Sequence, residues 1–383
     1  MSSAGLGISL FVLSLILVIV IHEAGHFTFA KIFGMKVEEF FLGFGARLWS
    51  TRRGETEYGV KAIPLGGYVR IAGMNPFQET APADLPRTYG AKPAWQRFLV
   101  VLAGPITHFA MAFLVLAIYF AVVGTPRYAP VVGTVEATLR NTAGVSAASP
   151  AAAAGLRAGD VIVRVGTVDR PDQDAFVAYT RSHVGRPVDL TVRRGDRSFH
   201  VTVTPVLSPI PGDGPRGRIG IDLGSGAVLS RDRANPVVAL GRSAATIERL
   251  SVQLFRSLGA VFGPAAIGRI VHLLGGAPRT VADPSGLVGG ARLAGEAAQA
   301  GSWDTLFLLF AEFNIFVGLL NLIPLPPLDG GHLAVVVYEK ATRRRVDPQK
   351  LIPVAAVVLS FFVLLTVSLL YLDIVNPVPN PFR

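Results

Sequence analysis

His22 and His26 stand four residues apart in the stretch His22-Glu23-Ala24-Gly25-His26. On a helix that spacing places both imidazoles on one face, where they can offer nitrogen to a single metal ion. Glu23 lies beside them, placed to take a proton from a water that the metal polarises. The plainer account of such a motif is a chance match or a buried polar pair. The setting argues against it. The apolar run Leu10-Phe11-Val12-Leu13-Ser14-Leu15-Ile16-Leu17-Val18-Ile19-Val20-Ile21 leads straight into the motif. Ionisable groups that deep in an apolar helix are costly, so they point to function.

The chain contains no Cys, which excludes disulfides and thiolate ligands. A metal held here must use His nitrogen and carboxylate oxygen, a donor set that suits zinc. A catalytic zinc site takes three protein ligands and leaves a position open. The best third candidate is Asp329, in Asn321-Leu322-Ile323-Pro324-Leu325-Pro326-Pro327-Leu328-Asp329-Gly330-Gly331-His332. Its prolines cannot continue a regular helix, and they open the backbone where a carboxylate can be aimed at a partner helix. Gly330 and Gly331 permit close approach. A turn-forming Asp-Gly at a helix exit is the competing account, and His332 is a rival ligand. Asn314 and Asn321, seven apart, share nearly one helix face, and amides within a span bond another helix or a substrate backbone. Glu312 is also intramembrane, near the outer end of its span.

These residues need helices in a bilayer to position them. Of 383 residues, 51% are hydrophobic and only 16% are charged, and the mean hydropathy is +0.48. That profile fits a multi-pass α-helical membrane protein with a soluble part. Four segments, 6–28, 98–123, 304–323 and 352–372, are long and apolar enough to span. The first lacks the basic n-region of a signal peptide, since no Lys or Arg precedes Lys31. Lys31, Lys36, Arg47, Arg52 and Arg53 follow the first span, and Lys340, Arg343, Arg344, Arg345 and Lys350 lie between the last two. The positive-inside rule then puts both stretches in the cytoplasm and both termini outside. The net charge of +10 is explained by these flanks, and no basic stretch interleaved with aromatics suggests nucleic acid.

Residues 35–97 read as a β region of short strands and turns, either membrane-associated beside the metal helix or a plain cytoplasmic hairpin. Asn75 through Ala94 read as a mobile loop. Residues 207–234, rich in Pro and Gly, read as a linker. Residues 236–274 read as a surface or membrane-interface helix, and Pro284 through Gly290 as a turn-rich patch.

Between the second span and that linker, Ser149-Pro150-Ala151-Ala152-Ala153-Ala154-Gly155-Leu156-Arg157-Ala158-Gly159-Asp160-Val161-Ile162 resembles a PDZ domain of the bacterial type. Such a module adds a peptide, often a peptide C-terminus, to a sheet edge; a β-rich spacer is the alternative. The expected division is 1–34 for the first span, 35–97 for the β region, 98–124 for the second span and 125–207 for an inserted extracytoplasmic α/β PDZ domain. A linker and amphipathic region follow at 208–303, then the third span with Asp329 at 304–331, a cytoplasmic loop at 332–351, and the fourth span with an outer tail at 352–383.

The whole chain resembles the site-2 protease family of intramembrane zinc metalloproteases, in its bacterial branch with one PDZ domain. The metal motif at 22–26 and the stretch Asn321–Gly330 carry the resemblance. Gly43-Phe44-Gly45, Pro64-Leu65-Gly66-Gly67-Tyr68-Val69 and Ala103-Gly104-Pro105 support it. The resemblance implies that His22, His26 and Asp329 bind one zinc and that Glu23 is the catalytic base. It also implies that Asn321 helps hold substrate and that the strands after Gly45, with Gly66, Gly67 and Tyr68, clamp it in extended form. His108 stands where relatives often carry Asn, and reads as a helix-packing or polar-contact residue. The implied function is regulated intramembrane proteolysis of pre-trimmed single-span proteins, such as anti-sigma factors or remnant signal peptides, in the bacterial inner membrane. Its active site would face the cytoplasmic side. Three other classes compete: a zinc transporter, a silent membrane scaffold, and a membrane metalloprotease acting on soluble loops.

Overall fold

The computed structural model describes residues 2–382 except 75–79, 141, 143, 211–213, 225, 262 and 282. It divides into two compact units, Phe120–Ala234 and the remainder of the chain.

The larger unit begins with α1 (Ser3–Ile32), capped by Ser2, whose side chain accepts from the Gly5 amide. Its 30 residues reach about 45 Å, ample for a bilayer. Two long strands follow, β1 (Val37–Arg53) and β2 (Thr56–Ile71). Each bends at glycines with positive φ, at Gly43 (87°) and Gly45 (83°) in β1 and at Gly66 (140°) in β2. The bend folds two strands into four short ones. Residues 37–42 pair with 67–71 on one side and with 57–60 on the other, and 57–60 pair in turn with 49–53. Residues 67–71 are therefore an edge. Short strands were expected here; bending accounts for why the local pattern looked short while the strands run on. Of the expected mobile loop, residues 75–79 lie outside the described residues. The rest forms two 3-10 turns, Pro82–Arg87 and Tyr89–Ala91, with Tyr89 buried.

The second span, α2 (Ala94–Ile118), continues as a π turn to Val123. In the smaller unit, β3 (Thr125–Tyr128), β4 (Val131–Val135), β5 (Thr138–Arg140) and β6 (Ser146–Ala148) lead to α3 (Pro150–Ala153), capped by Ser149. Then come β7 (Val161–Val165), β8 (Val168–Asp169), α4 (Gln173–Ser182), β9 (Val188–Arg194) and β10 (Arg197–Val203). The expected linker is instead four strands: β11 (Val206–Ile210), β12 (Gly214–Arg218), β13 (Ile221–Gly224) and β14 (Val228–Asp232). β13 completes the main sheet, ordered β10-β9-β7-β4-β13, and β14 pairs with β3. The unit thus extends well past residue 207. Composition misled at β13 and β14 because their partners, β4 and β3, lie far upstream where local pattern cannot see them, and at β11 and β12, which pair with each other, because Gly and Pro mask the hairpin. Val132, Ile162, Val165, Phe176, Leu190 and Val192 form its core.

Returning to the larger unit, α5 (Pro236–Val261) packs on α2, and α6 (Pro264–Leu274) follows. α7 (Leu287–Gln299) lies along α1 and absorbs part of the expected turn-rich patch. α8 (Trp303–Asn321) ends before the proline run. α9 (Asp329–Thr342) replaces most of the expected loop at 332–351, because Asp329 starts a new helix after the prolines break the old one. α10 (Ile352–Val375) closes the fold. Among the described residues, four helical segments are long and apolar enough to cross a membrane: Ser3–Ile32, Ala94–Val123, Trp303–Asn321 and Gln349–Val375. One apolar cluster fixes the elements around the metal motif. It joins Ala30 of α1, Val37 and Ile71 of the bent strands, Val100 and Val101 of α2, and Leu333 and Val336 of α9. A buried ion pair, Arg97 to Glu339 at 2.8 Å, ties α2 to α9 at the same level.

Candidate metal centre

His22 and His26 do share one face of α1, and their Nε2 atoms are 3.2 Å apart. Asp329, the first residue of α9, brings Oδ2 to 3.3 Å from each of them. A tetrahedral zinc with bonds of about 2.0–2.2 Å needs its ligand atoms roughly 3.3–3.5 Å apart. The triangle has that size.

Its chemistry is also that of a cation site. The Nδ1 of His26 donates to the Val100 carbonyl at 2.8 Å, which leaves a lone pair on Nε2. That lone pair faces a carboxylate. Asp329 Oδ2 is buried and has no hydrogen-bond partner among the described residues. Acceptors converging in a buried space repel one another unless a cation sits between them. His22, His26 and Asp329 are the cluster of possible metal donors found among the described residues, and the rival His332 is not in it.

Close helix approach makes the triangle possible. A Cβ on Gly104 of α2 would lie 2.3 Å from His26 Nε2 and 2.7 Å from His22 Cε1. A Cβ on Gly25 would lie 2.7 Å from the Ala103 carbonyl oxygen. Both glycines let α2 press on the imidazoles. Gly330 and Gly331 play the same part for Asp329, since side chains there would collide with the turn at Leu322–Pro326.

Glu23 sits against the edge strand. A Cβ on Gly67 would lie 3.1 Å from Glu23 Cγ, and the Val69 backbone N–H faces the Glu23 carboxylate. Gly67 is thus beside the motif, while Gly66 lies against the Phe44 ring. The Tyr68 side chain is not beside the motif: its hydroxyl donates to Glu39 at 2.5 Å, its ring stacks on Phe41, and Lys61 lies over it. Strand alternation turns its side chain to the opposite face from Gly67, so any part Tyr68 takes in the clamp is through its backbone. Asn314 lies between α8 and α2. It is fully buried, donates to the Phe310 carbonyl at 2.8 Å and meets His108 Nδ1 at 3.3 Å, so its amide is spent between helices. Asn321 is half-buried at the end of α8. Glu312 is exposed on α8.

Sequence reasoning missed the Val100 carbonyl and the clearance role of Gly25. The small residue within the metal motif was the available signal for the latter. No local signal marks Val100; the carbonyl that Pro105 leaves without its helical donor is that of Val101.

Comparison with known proteins agrees with this geometry. The profile of peptidase family M50 matches residues 10–366. The zinc metalloprotease Rip1 of Mycolicibacterium smegmatis is 36% identical over 97% of this chain and 98% of its own. The Rip1 of Mycobacterium tuberculosis is 34% identical over the same shares. The metalloprotease MmpA of Caulobacter vibrioides is 31% identical over 88% of this chain and 86% of its own. With a family match across nearly its whole length and a two-histidine, one-aspartate triangle of zinc dimensions, the chain belongs to peptidase family M50, the site-2 proteases, and is a membrane zinc metallopeptidase.

Proposed function

We propose that the protein cuts peptide bonds inside the transmembrane segments of single-span substrates already trimmed on the outer side. Anti-sigma factors and remnant signal peptides are the substrate classes in view. His22, His26 and Asp329 hold the zinc and Glu23 is the base. The observation that carries this reading is the 3.2–3.3 Å triangle with its unpartnered carboxylate oxygen.

When bound, zinc supplies a Lewis acid for the scissile carbonyl and lowers the pKa of water. The residues of this chain do the rest. A transmembrane helix bonds its own amides, so its carbonyls are poor targets until it is opened. The edge strand 67–71 has a free side beside Glu23, and an unwound substrate can pair there as an added strand. Gly66 and Gly67 leave room for that strand, and the half-buried Asn321 offers an amide to its backbone. Glu23 takes the proton of the attacking water and returns it to the leaving amine. Phe44, Leu48, Trp49 and Ile63 are exposed apolar residues at the bends of the β region, which supports its membrane-associated placement. The basic flanks support a cytoplasmic site with the smaller unit and both termini outside, in a bacterial inner membrane. That unit acts as a PDZ-type filter, by size or by holding a peptide C-terminus.

Glu23→Gln in lipid nanodiscs should slow cleavage of a trimmed single-span substrate by about 10²–10⁴-fold while zinc content stays at one per chain. Equal cleavage by parent and variant would end the protease mechanism. The filter is tested by excision. Thr125 pairs with Asp232, so residues 126–231 can be replaced by a short Gly/Ser bridge. The excised enzyme should cut an untrimmed substrate that the parent refuses; continued refusal would remove the filter.

A further inference from the structure

Two buried imidazole nitrogens near the triangle have no hydrogen-bond partner among the described residues: Nδ1 of His22 and Nε2 of His108. The two rings are neighbours, with centroids 4.9 Å apart and planes tilted by 36°. Their proton states are opposite and can be worked out from what surrounds them.

The Asn314 amide donates through Nδ2 to the Phe310 carbonyl, so Oδ1 is the atom it turns to His108. An amide oxygen only accepts, hence His108 Nδ1 carries the proton and Nε2 carries the lone pair. His22 is the reverse. Its Nε2 faces His26 Nε2 and Asp329 Oδ2 and must be bare to ligate, so its proton sits on Nδ1. A buried donor without an acceptor therefore lies beside a buried acceptor without a donor. Gly318 makes the arrangement reachable, because a Cβ there would press to 3.1 Å from the His108 Cβ and hold α8 away.

We propose that His108 is a positioning residue for the zinc: its Nε2 accepts the Nδ1–H of His22 in the metal-loaded enzyme. The chain Phe310 carbonyl, Asn314, His108, His22 fixes the tautomer and the ring plane of one ligand from a helix that contributes no ligand. His26 has the matching arrangement in its bond to the Val100 carbonyl. Both ligand imidazoles are then oriented by α2. This rests on the zinc assignment above, and zinc affinity is the direct readout.

The test measures zinc affinity by chelator competition on the full-length protein in nanodiscs. His108→Leu should bind zinc about 10–100-fold more weakly, the usual cost of losing such a partner. His108→Gln, which returns an acceptor at the same reach, should recover most of that loss. A His108→Leu variant that binds zinc like the parent overturns the role of His108 and leaves the metal site standing. A parent that binds no zinc overturns the metal site itself. Should His108→Leu not fold, the parent still decides. With 15N-labelled histidine, of which the chain has only seven, the zinc-loaded enzyme should show an N–H···N coupling between two imidazoles. Absence of that coupling sinks the proposal.

Discussion

Two aspartates in the larger unit, Asp373 buried and Asp329 half-buried, differ in how far the protein completes them. Asp373, near the end of α10, is saturated: Arg279 approaches at 3.1 Å, the Ser285 hydroxyl at 3.3 Å, and the Gly286 and Gly289 amides donate at 3.0 and 2.7 Å. Asp329 meets two imidazole nitrogens whose lone pairs oppose it, and its Oδ2 has no hydrogen-bond partner among the described residues. The first carboxylate is finished by the protein, and the second is finished only by a cation. The more deeply buried of the two is the one without a metal to hold, so burial does not mark the reaction centre; incompleteness does.

The largest expected effect breaks the comparison at Asp329. Asp329→Asn keeps the volume and removes the charge. It should lower zinc affinity by more than about 100-fold and abolish cleavage, since a ligand matters more than its outer partners. The metal-free protein should lose little stability, because Oδ2 has no hydrogen-bond partner among the described residues to lose. Chelator competition and thermal melts with and without zinc check both halves.

Asp373→Ala should give the opposite pattern. It strands Arg279, whose side chain is fully buried, and should destabilise the fold by about 3–5 kcal/mol. The folded fraction should still bind zinc with parental affinity. If Asp373→Ala spared stability and lost zinc, the division between the two carboxylates would collapse.

Gly104→Ala asks whether the triangle depends on close helix packing. The added methyl would overlap His26 Nε2, which cannot yield without leaving the metal position. Zinc affinity should fall by more than about 10-fold, as for loss of an orienting partner. Gly241→Ala is the control, since a Cβ there meets nothing within 4 Å; it should leave zinc affinity unchanged.

The comparison also shows what could be read in advance. The spacing of His22 and His26 is local, fixed by helical repeat, and Asp329 stands out because prolines interrupt a span just before it. Those signals survive without tertiary knowledge. The Val100 carbonyl and the pairing of Asn314 with His108 depend on which helix faces come together, and nothing local encodes that. Asn314 and Asn321 look alike along the chain, yet one is consumed by His108 and the other stays half-buried at a helix end. Of the strands at 206–232, β13 and β14 were hidden for the same reason, and β11 and β12, which pair with each other, by their composition. Gly214-Pro215-Arg216-Gly217-Arg218 has the composition of a turn and becomes a strand only because β11 pairs with it. The capping Asp373 was silent too, because its partners are more than 80 residues away.

A third carboxylate sharpens the contrast at its mild end. Glu55, in the turn between β1 and β2, is saturated like Asp373 but partly exposed, with 29% of its side chain open to solvent. Arg87 and Lys31 hold it at 2.6–2.8 Å. The Arg87 hydrogen bond is the main cause that lowers its pKa, to about 2, and Lys31 adds to it. A carboxylate with a depressed folded-state pKa stabilises fully above its unfolded value, near 4.5, and loses that contribution as pH falls through about 2. Solvent screening keeps the effect small. Glu55→Gln should cost less than about 1 kcal/mol at pH 7, and the gap in melting temperature between parent and variant should narrow as pH drops from 5 toward about 2. A gap that held constant down that range would mean Glu55 contributes through packing and not through its charge.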